Sequence, residues 1–123
     1  MSQPVVGRDG WSPVCRWSDL EPGRGATALV NGHAVALFRI GEDEVYVLGN
    51  HDPFARPSGA GAGMLARGIV GRREDVLFVG SPVHRHAFDL RTGRCLEDPS
   101  VRVPTYQVRI REGVVQVGPR ASP

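Results

Sequence analysis

The sequence predicts an all-β fold, a small antiparallel β-sandwich or barrel, on three observations. Short segments rich in apolar and β-branched residues recur along the chain, and each is followed by a turn signal. The dipeptides Asn31-Gly32, Thr92-Gly93 and Glu112-Gly113 divide such segments in the manner of β-hairpins. Helical periodicity is scarce. About seven or more short strands at this spacing are typical of a sandwich or barrel.

The first predicted hairpin covers residues 25–40, with one strand on each side of Asn31-Gly32. Both central positions of a type I′ turn need a positive φ, which asparagine and glycine adopt readily. Residues 44–49 follow with β-branched and aromatic side chains and predict another strand. Residues 75–82 predict an apolar strand that ends at Pro82.

Two further hairpins follow in the C-terminal half. Residues 86–97 predict one around Thr92-Gly93, and residues 105–117 predict the other around Glu112-Gly113. The first arm of the last hairpin alternates apolar and polar side chains, which is typical of a strand with one buried face.

Only two short helical turns are expected. The first begins at residue 18 and is stopped by Pro22-Gly23. The second surrounds Met64, after a glycine-rich stretch that is typical of a loop. That stretch, 61–66, also fits a dinucleotide-binding motif in spacing, but it lacks the preceding strand and the long following helix that phosphate binding needs.

Composition and length describe one soluble domain. The 123 residues are 41% hydrophobic and 23% charged, which is ordinary for a globular protein. We place the domain at residues 11–117 and expect flexible termini at 1–10 and 118–123. No apolar run reaches the length of a membrane span, and the N-terminus lacks the pattern of a secretory signal. A cytoplasmic location without membrane association is therefore expected.

The basic residues are unusual in kind, because all fifteen are arginine. Residues 62–123 contain ten arginines against six acidic residues, although the net charge of the chain is only +2. This excess is compatible with a solvated surface or with a docking face for an acidic partner, since arginine suits interfaces. No basic run or interleaving of basic and aromatic residues occurs, so nucleic acid is not expected as a partner.

The only two cysteines are Cys15 and Cys95. They cannot supply a four-thiolate cluster or a structural zinc site of four cysteines, and a disulfide between them is disfavoured in a reducing cytoplasm. Two free thiols are expected. His84 and His86 would share one face of a strand, but a zinc site needs further ligands.

Two segments together carry a family resemblance. Residues 49–59, GNHDPFARPSG, and residues 80–95, GSPVHRHAFDLRTGRC, resemble the two cluster-binding loops of Rieske-type ferredoxins. Asn50, Pro53 and Pro82 stand where the family has its scaffolding residues, and FDLRTG follows as its hairpin. In that family each loop supplies one cysteine and one histidine to a [2Fe–2S] cluster.

The four ligand positions of the family fall on Asp52, Phe54, Ser81 and His84, so only one ligand is retained. The resemblance therefore implies a Rieske-like ferredoxin fold with two loop remnants of a [2Fe–2S] site. It implies no catalytic residue, metal or cofactor on this chain. In place of a cluster, Asp52 is expected to form an Asx-type turn, and Phe54 is expected to act as an apolar plug.

The combination N-x-D-P-F in the first loop and S-P in the second resembles the small subunit of cytoplasmic NAD(P)H-dependent assimilatory nitrite reductase, over residues 11–117. The resemblance implies an accessory chain that binds a large subunit carrying FAD, a [4Fe–4S] cluster and sirohaem. That enzyme reduces nitrite to ammonium. Candidate residues for contact with the large subunit are His51, Arg56, Arg67, Arg72, Arg73, Arg85 and His86.

Two other functions stay open from the sequence. One is a free-standing Rieske-like binding module for another redox enzyme. The other is an electron-transfer ferredoxin, which would require iron and a visible spectrum.

Overall fold

The computed structural model describes residues 10–55, 63–82 and 86–121. Its described part contains nine strands: β1 Ser12–Arg16, β2 Gly25–Val30, β3 His33–Ile40, β4 Glu44–Gly49, β5 Ile69–Arg73, β6 Val76–Gly80, β7 Ala87–Asp89, β8 Thr105–Arg111 and β9 Val114–Arg120. Two 3₁₀ turns, Trp17–Asp19 and Leu65–Arg67, are the only helical elements among these residues. The fold is all-β, as predicted.

The strands form two antiparallel sheets. The larger has the order β1-β9-β8-β4-β3-β2, and the smaller has the order β5-β6-β7. The two edge strands of the larger sheet, β1 and β2, approach each other, which gives the sheet a barrel-like curvature. The smaller sheet carries the second of the two remnant loops between β6 and β7.

Two of the three predicted hairpin turns are confirmed by their backbone angles. Asn31 and Gly32 have φ values of 52° and 79°, and Glu112 and Gly113 have 52° and 77°. Both central residues of each turn are therefore in the left-handed region that a type I′ turn requires. These turns set the register of β2 with β3 and of β8 with β9.

Strand β3 is buried on both faces, and it therefore reads as a continuous apolar run rather than an alternating one. Val35 and Leu37 point into a cluster shared with Val115 and Val117 of β9. Ala36 and Phe38 point into the second cluster, which contains the apolar side chains of the small sheet. The second cluster lies beneath the two remnant loops, because Leu65, Phe88 and the partly buried Phe54 belong to it.

The hairpin predicted at 86–97 has only one regular strand. Gly93 adopts the left-handed conformation that the turn needs, with a φ of 77°. Its N–H donates to the carbonyl of Asp89 at 2.8 Å. The second arm pairs with β7 through one isolated bridge, Phe88 to Cys95. Two backbone hydrogen bonds flank this bridge, from the Asp89 N–H to Arg94 at 2.9 Å and from the Leu96 N–H to Ala87 at 2.8 Å. The N–H of Cys95 faces the other way and donates to the carbonyl of Val101 at 2.9 Å.

The last strand extends beyond its predicted end. We expected a flexible terminus from residue 118, but β9 continues to Arg120, which pairs with Tyr106 of β8. The N–H of Ala121 also donates to the carbonyl of Thr105 at 2.7 Å, so pairing with β8 holds this extension. The indole ring of Trp11 packs against Gly118 so closely that a Cβ there would lie 2.7 Å from the ring. The N-terminal residues 1–9 lie outside the described part of the chain.

Candidate functional site

The first remnant loop begins at Asn50, directly after β4. Asn50 is buried, and its N–H donates to the carbonyl of Ala34 at 3.1 Å. Its side-chain Oδ1 accepts the N–H of Ala66 at 2.9 Å, and its carbonyl accepts the N–H of Leu65 at 2.8 Å. Asn50 thus holds the loop to both β3 and the second 3₁₀ turn.

Asp52 occupies the first cysteine position of the family and is fully buried. Its Oδ1 accepts the N–H of Phe54 at 2.9 Å, which is the predicted Asx-type turn. Its own N–H donates to the carbonyl of Gly63 at 2.8 Å. Its Oδ2 has no hydrogen-bond partner among the described residues. A cluster-ligand position has therefore become part of the loop's internal hydrogen bonding.

Phe54, at the first histidine position, joins the two loops. Its ring stacks on His86 of the second loop, with the ring centroids 3.8 Å apart and an interplanar angle of 14°. The ring of Phe88 of β7 also lies near it, at 6.3 Å between centroids. The ring is half-buried and packs against the core cluster beneath the loops. These contacts agree with the predicted apolar plug.

Ser81, at the second cysteine position, closes the second loop together with His86. The N–H of Ser81 donates to the carbonyl of His86 at 2.9 Å, and the N–H of His86 donates to Ser81 Oγ at 3.2 Å. Ser81 is 2% exposed. Its hydroxyl is therefore committed to the backbone of the loop that it closes.

The residues at these positions do not fit a [2Fe–2S] cluster. The family's cluster needs two thiolates and two imidazoles. Phe54 has no atom that can bind iron, and both thiolate positions carry oxygen side chains. His84 lies outside the described residues. In the ranges 10–55, 63–82 and 86–121, no group of three or more His, Cys, Asp or Glu side chains is placed to hold a metal ion.

Both cysteines are free thiols, as predicted. Cys15 is half-buried in β1, and burial, with a smaller contribution from Asp19, raises the pKa of its thiol. Cys95 is fully buried after β7, and burial is likewise the main cause that raises its pKa. Because a raised pKa favours the protonated thiol, both cysteines are less reactive than an ordinary exposed cysteine.

Glu97 is a structural residue that the sequence did not single out. Its Oε1 accepts the N–H of Ala87 at 2.8 Å and faces Cys95 Sγ at 3.6 Å. Its Oε2 lies 3.6 Å from the guanidinium of Arg73. Glu97 therefore holds the end of the hairpin against β7 and β5.

The candidate contact residues are distributed over both loops and the small sheet. His51 is exposed and pairs in an isolated bridge with Met64, at the start of the second 3₁₀ turn. Arg67, Arg72 and Arg73 are exposed on that turn and on β5, whereas His86 is half-buried under Phe54. Arg56 and Arg85 lie outside the described residues, and the contact surface stays a prediction.

The model of the Rieske-like [2Fe-2S] domain family matches residues 10–118. A nitrite reductase (NADH) small subunit from Salmonella typhimurium is 37% identical over 108 residues, which are 87% of this chain and 95% of the relative. The chain belongs to the Rieske-like family of nitrite reductase small subunits.

A solved structure agrees with this assignment at the level of the fold. It is a crystal structure from Mycobacterium tuberculosis, provisionally described as an NADH-dependent nitrite reductase small subunit. It is 44% identical, with a TM-score of 0.78, and the match covers 87% of this chain and 92% of that one.

A third relative is of a different kind. The nitrite reductase [NAD(P)H] large subunit of Klebsiella oxytoca is 30% identical over 116 residues, which are 94% of this chain but only 12% of the relative. A segment that resembles a whole small subunit is thus part of a larger chain in that protein.

None of the described helices of the present chain has the length and apolar character that a membrane crossing requires.

Proposed function

We propose that this chain is the non-catalytic small subunit of a cytoplasmic NAD(P)H-dependent nitrite reductase and acts by binding the large subunit. The enzyme would reduce nitrite to ammonium in nitrate assimilation. The observation that carries the proposal is the near full-length similarity to small subunits, together with first-loop ligand positions that have been turned into structural contacts.

The Klebsiella relative supports the existence of a large-subunit partner. In that protein a segment similar to 94% of this chain is covalently part of a chain named as the large subunit. A unit that occurs fused to the large chain in one protein and as a separate chain in others is expected to work beside that chain. The fused arrangement favours an accessory subunit over a free-standing module.

We infer that the chain carries no cofactor of its own and that FAD, the [4Fe–4S] cluster and sirohaem belong to the large subunit. The contacts that these residues already make support this inference. Asp52 Oδ1 and Ser81 Oγ accept backbone N–H groups, and Phe54 stacks on His86. Asp52 and Ser81 would have to give up these contacts to bind iron, and Phe54 has no atom that can bind it.

The hydrogen bonds and the ring stacking within the two loops suit a binding role. Loops that are tied by hydrogen bonds before binding lose little conformational freedom when a partner docks, which favours affinity. Asn50 holds the first loop to β3 and to the second 3₁₀ turn, while Ser81 and His86 close the second loop. The chain would then present a preformed surface to the large subunit.

Co-expression of a tagged copy with the large-subunit chain tests the proposal. We expect the two to co-purify, and we expect the presence of this chain to raise nitrite-dependent oxidation of NADH or NADPH or the lifetime of that activity. The purified small subunit should contain no iron. A chain that neither binds nor changes the activity would favour the free-standing module, and stoichiometric iron with a visible spectrum would favour an electron-transfer ferredoxin.

A further inference from the structure

An open groove of about 380 Å³ lies beside the first remnant loop. We call it the basic groove and define it by six of its lining residues: His33, His51, Pro53, Arg102, Pro104 and Tyr106. Three segments that are distant in the sequence form it: the start of β3, the first loop, and the chain that leads into β8.

The floor of the groove is rigid backbone. The N–H of Gly49 donates to the carbonyl of Pro104 at 2.9 Å, and a Cβ at Gly49 would lie 2.9 Å from Pro104 Cγ. Only glycine permits this approach. The N–H of Asn50 completes the floor by donating to Ala34 at 3.1 Å. The groove is therefore preformed by hydrogen bonds between strands and loop.

The side chains of the groove are cationic or neutral. His33, His51 and Arg102 are exposed, and none of the three hydrogen-bonds or ion-pairs through its side chain with any residue of the described chain. No aspartate or glutamate lines the groove. Arg24, by contrast, pairs with Glu21.

The apolar parts of the groove add shape to this charge. Pro53 is exposed, and Pro104 and Tyr106 are half-buried. Proline rings and a tyrosine side chain offer fixed surfaces at little entropic cost, and arginine binds carboxylates through two parallel hydrogen bonds. A carboxylate side chain on an extended peptide is a group that matches this lining.

We propose that the basic groove binds an extended acidic segment of the large subunit. This inference rests on the proposed function and deepens it by naming the surface and the chemistry of the partner. The groove is continuous with the first remnant loop, because His51 and Pro53 belong to both. It adds His33, Arg102 and Tyr106 to the contact surface predicted from the sequence.

A charge-removal variant tests the groove in the full chain. Replacement of Arg102 and the two histidines by glutamine (His33→Gln, His51→Gln and Arg102→Gln) leaves the floor intact. We expect binding to the intact large subunit to weaken by about tenfold and to lose much of its salt dependence. The matched control is Arg111→Gln, an exposed arginine at the end of β8, and it should bind within about twofold of wild type.

The outcomes separate the groove from the proposed function. Equal binding by wild type and the triple variant, with the same melting temperature, would overturn the groove as the docking site and leave the subunit assignment intact. Absence of binding by the wild type would overturn both. Sedimentation velocity on the chain alone tests whether a second copy of the chain occupies the groove instead. A dimer that forms with the wild type and not with the triple variant would assign the groove to that second copy and overturn the proposal.

Discussion

Asp52 is a buried carboxyl whose two oxygens have different surroundings. Oδ1 accepts the N–H of Phe54 at 2.9 Å, whereas Oδ2 has no hydrogen-bond partner among the described residues. A buried polar atom without a partner costs free energy, so the benefit of this residue comes from its Oδ1. The side chain acts as a turn former in the position of a metal ligand.

The first prediction separates the two oxygens. Asp52→Asn keeps an oxygen for the turn, so the free energy of unfolding should change by less than about 1 kcal/mol. Asp52→Ala removes the acceptor and leaves the Phe54 N–H without it, so it should cost about 1–3 kcal/mol. Urea denaturation of both variants provides the measurement. A loss of more than about 2 kcal/mol in the asparagine variant would show that Oδ2 has a function of its own.

Phe54 carries the second residue-scale prediction. Full burial of a phenylalanine is worth about 3–5 kcal/mol against alanine, and this ring is half-buried, so Phe54→Ala should cost about 2 kcal/mol. Phe54→Leu, which keeps most of the volume but not the stacking on His86, should cost less than about 1.5 kcal/mol. Equal melting temperatures for wild type and the alanine variant would exclude the plug.

The two thiols should differ in reactivity. Cys95 is fully buried and should react with a disulfide reagent only after unfolding. Cys15 is half-buried with a raised pKa, so its thiolate forms above the ordinary cysteine value of about 8.5. Its slow reaction should therefore still accelerate as the pH rises past that value. The rate at which the native protein reacts with the reagent, measured from about pH 7 to about pH 10 on both sides of the ordinary cysteine pKa, tests this. Fast reaction of both thiols at about pH 7 would contradict it.

At the scale of the elements, the hairpins were the most predictable part of the chain. Asn31-Gly32 and Glu112-Gly113 adopt the positive φ values that their residue types favour. Strands β1 and β5 were not predicted. β1 is a short edge strand that contains Pro13 and a bulge, and β5 has Gly71 at its centre. Such segments pair because their neighbours offer an open edge, which no local pattern reveals.

The junction between β2 and the second 3₁₀ turn depends on Gly25. A Cβ at this position would overlap the carbonyl of Ala66, which is backbone and has little room to move. Gly25→Ala should therefore lower the free energy of unfolding by about 1–3 kcal/mol or more.

Gly80→Ala is the matched control for this junction, because a Cβ there would approach nothing closer than 3.8 Å, at the carbonyl of Ile69. Thermal unfolding of the two variants should separate clearly. Similar melting temperatures would show that β2 and the 3₁₀ turn do not pack as described.

At the scale of the whole molecule, the remnant loops were predictable and the basic groove was not. The motif N-x-D-P-F places Asp52 and Phe54 within one local turn, so the hydrogen bond between them follows from adjacent residues. The stacking of Phe54 on His86 joins distant residues and depends on the fold. His33 and Arg102 carry no local signal. They meet only because β3 lies beside β4, which ends at the first loop, and because the segment before β8 pairs with Gly49.

The central claim is that this chain serves nitrite reductase by binding its large subunit without iron of its own. Calorimetric titration of the purified large subunit with the purified chain, in buffer with and without an iron chelator, tests this claim most directly. The account predicts a saturable complex with the same affinity in both buffers. No complex, or a complex that forms only when the small subunit has been loaded with iron and sulfide, would contradict it.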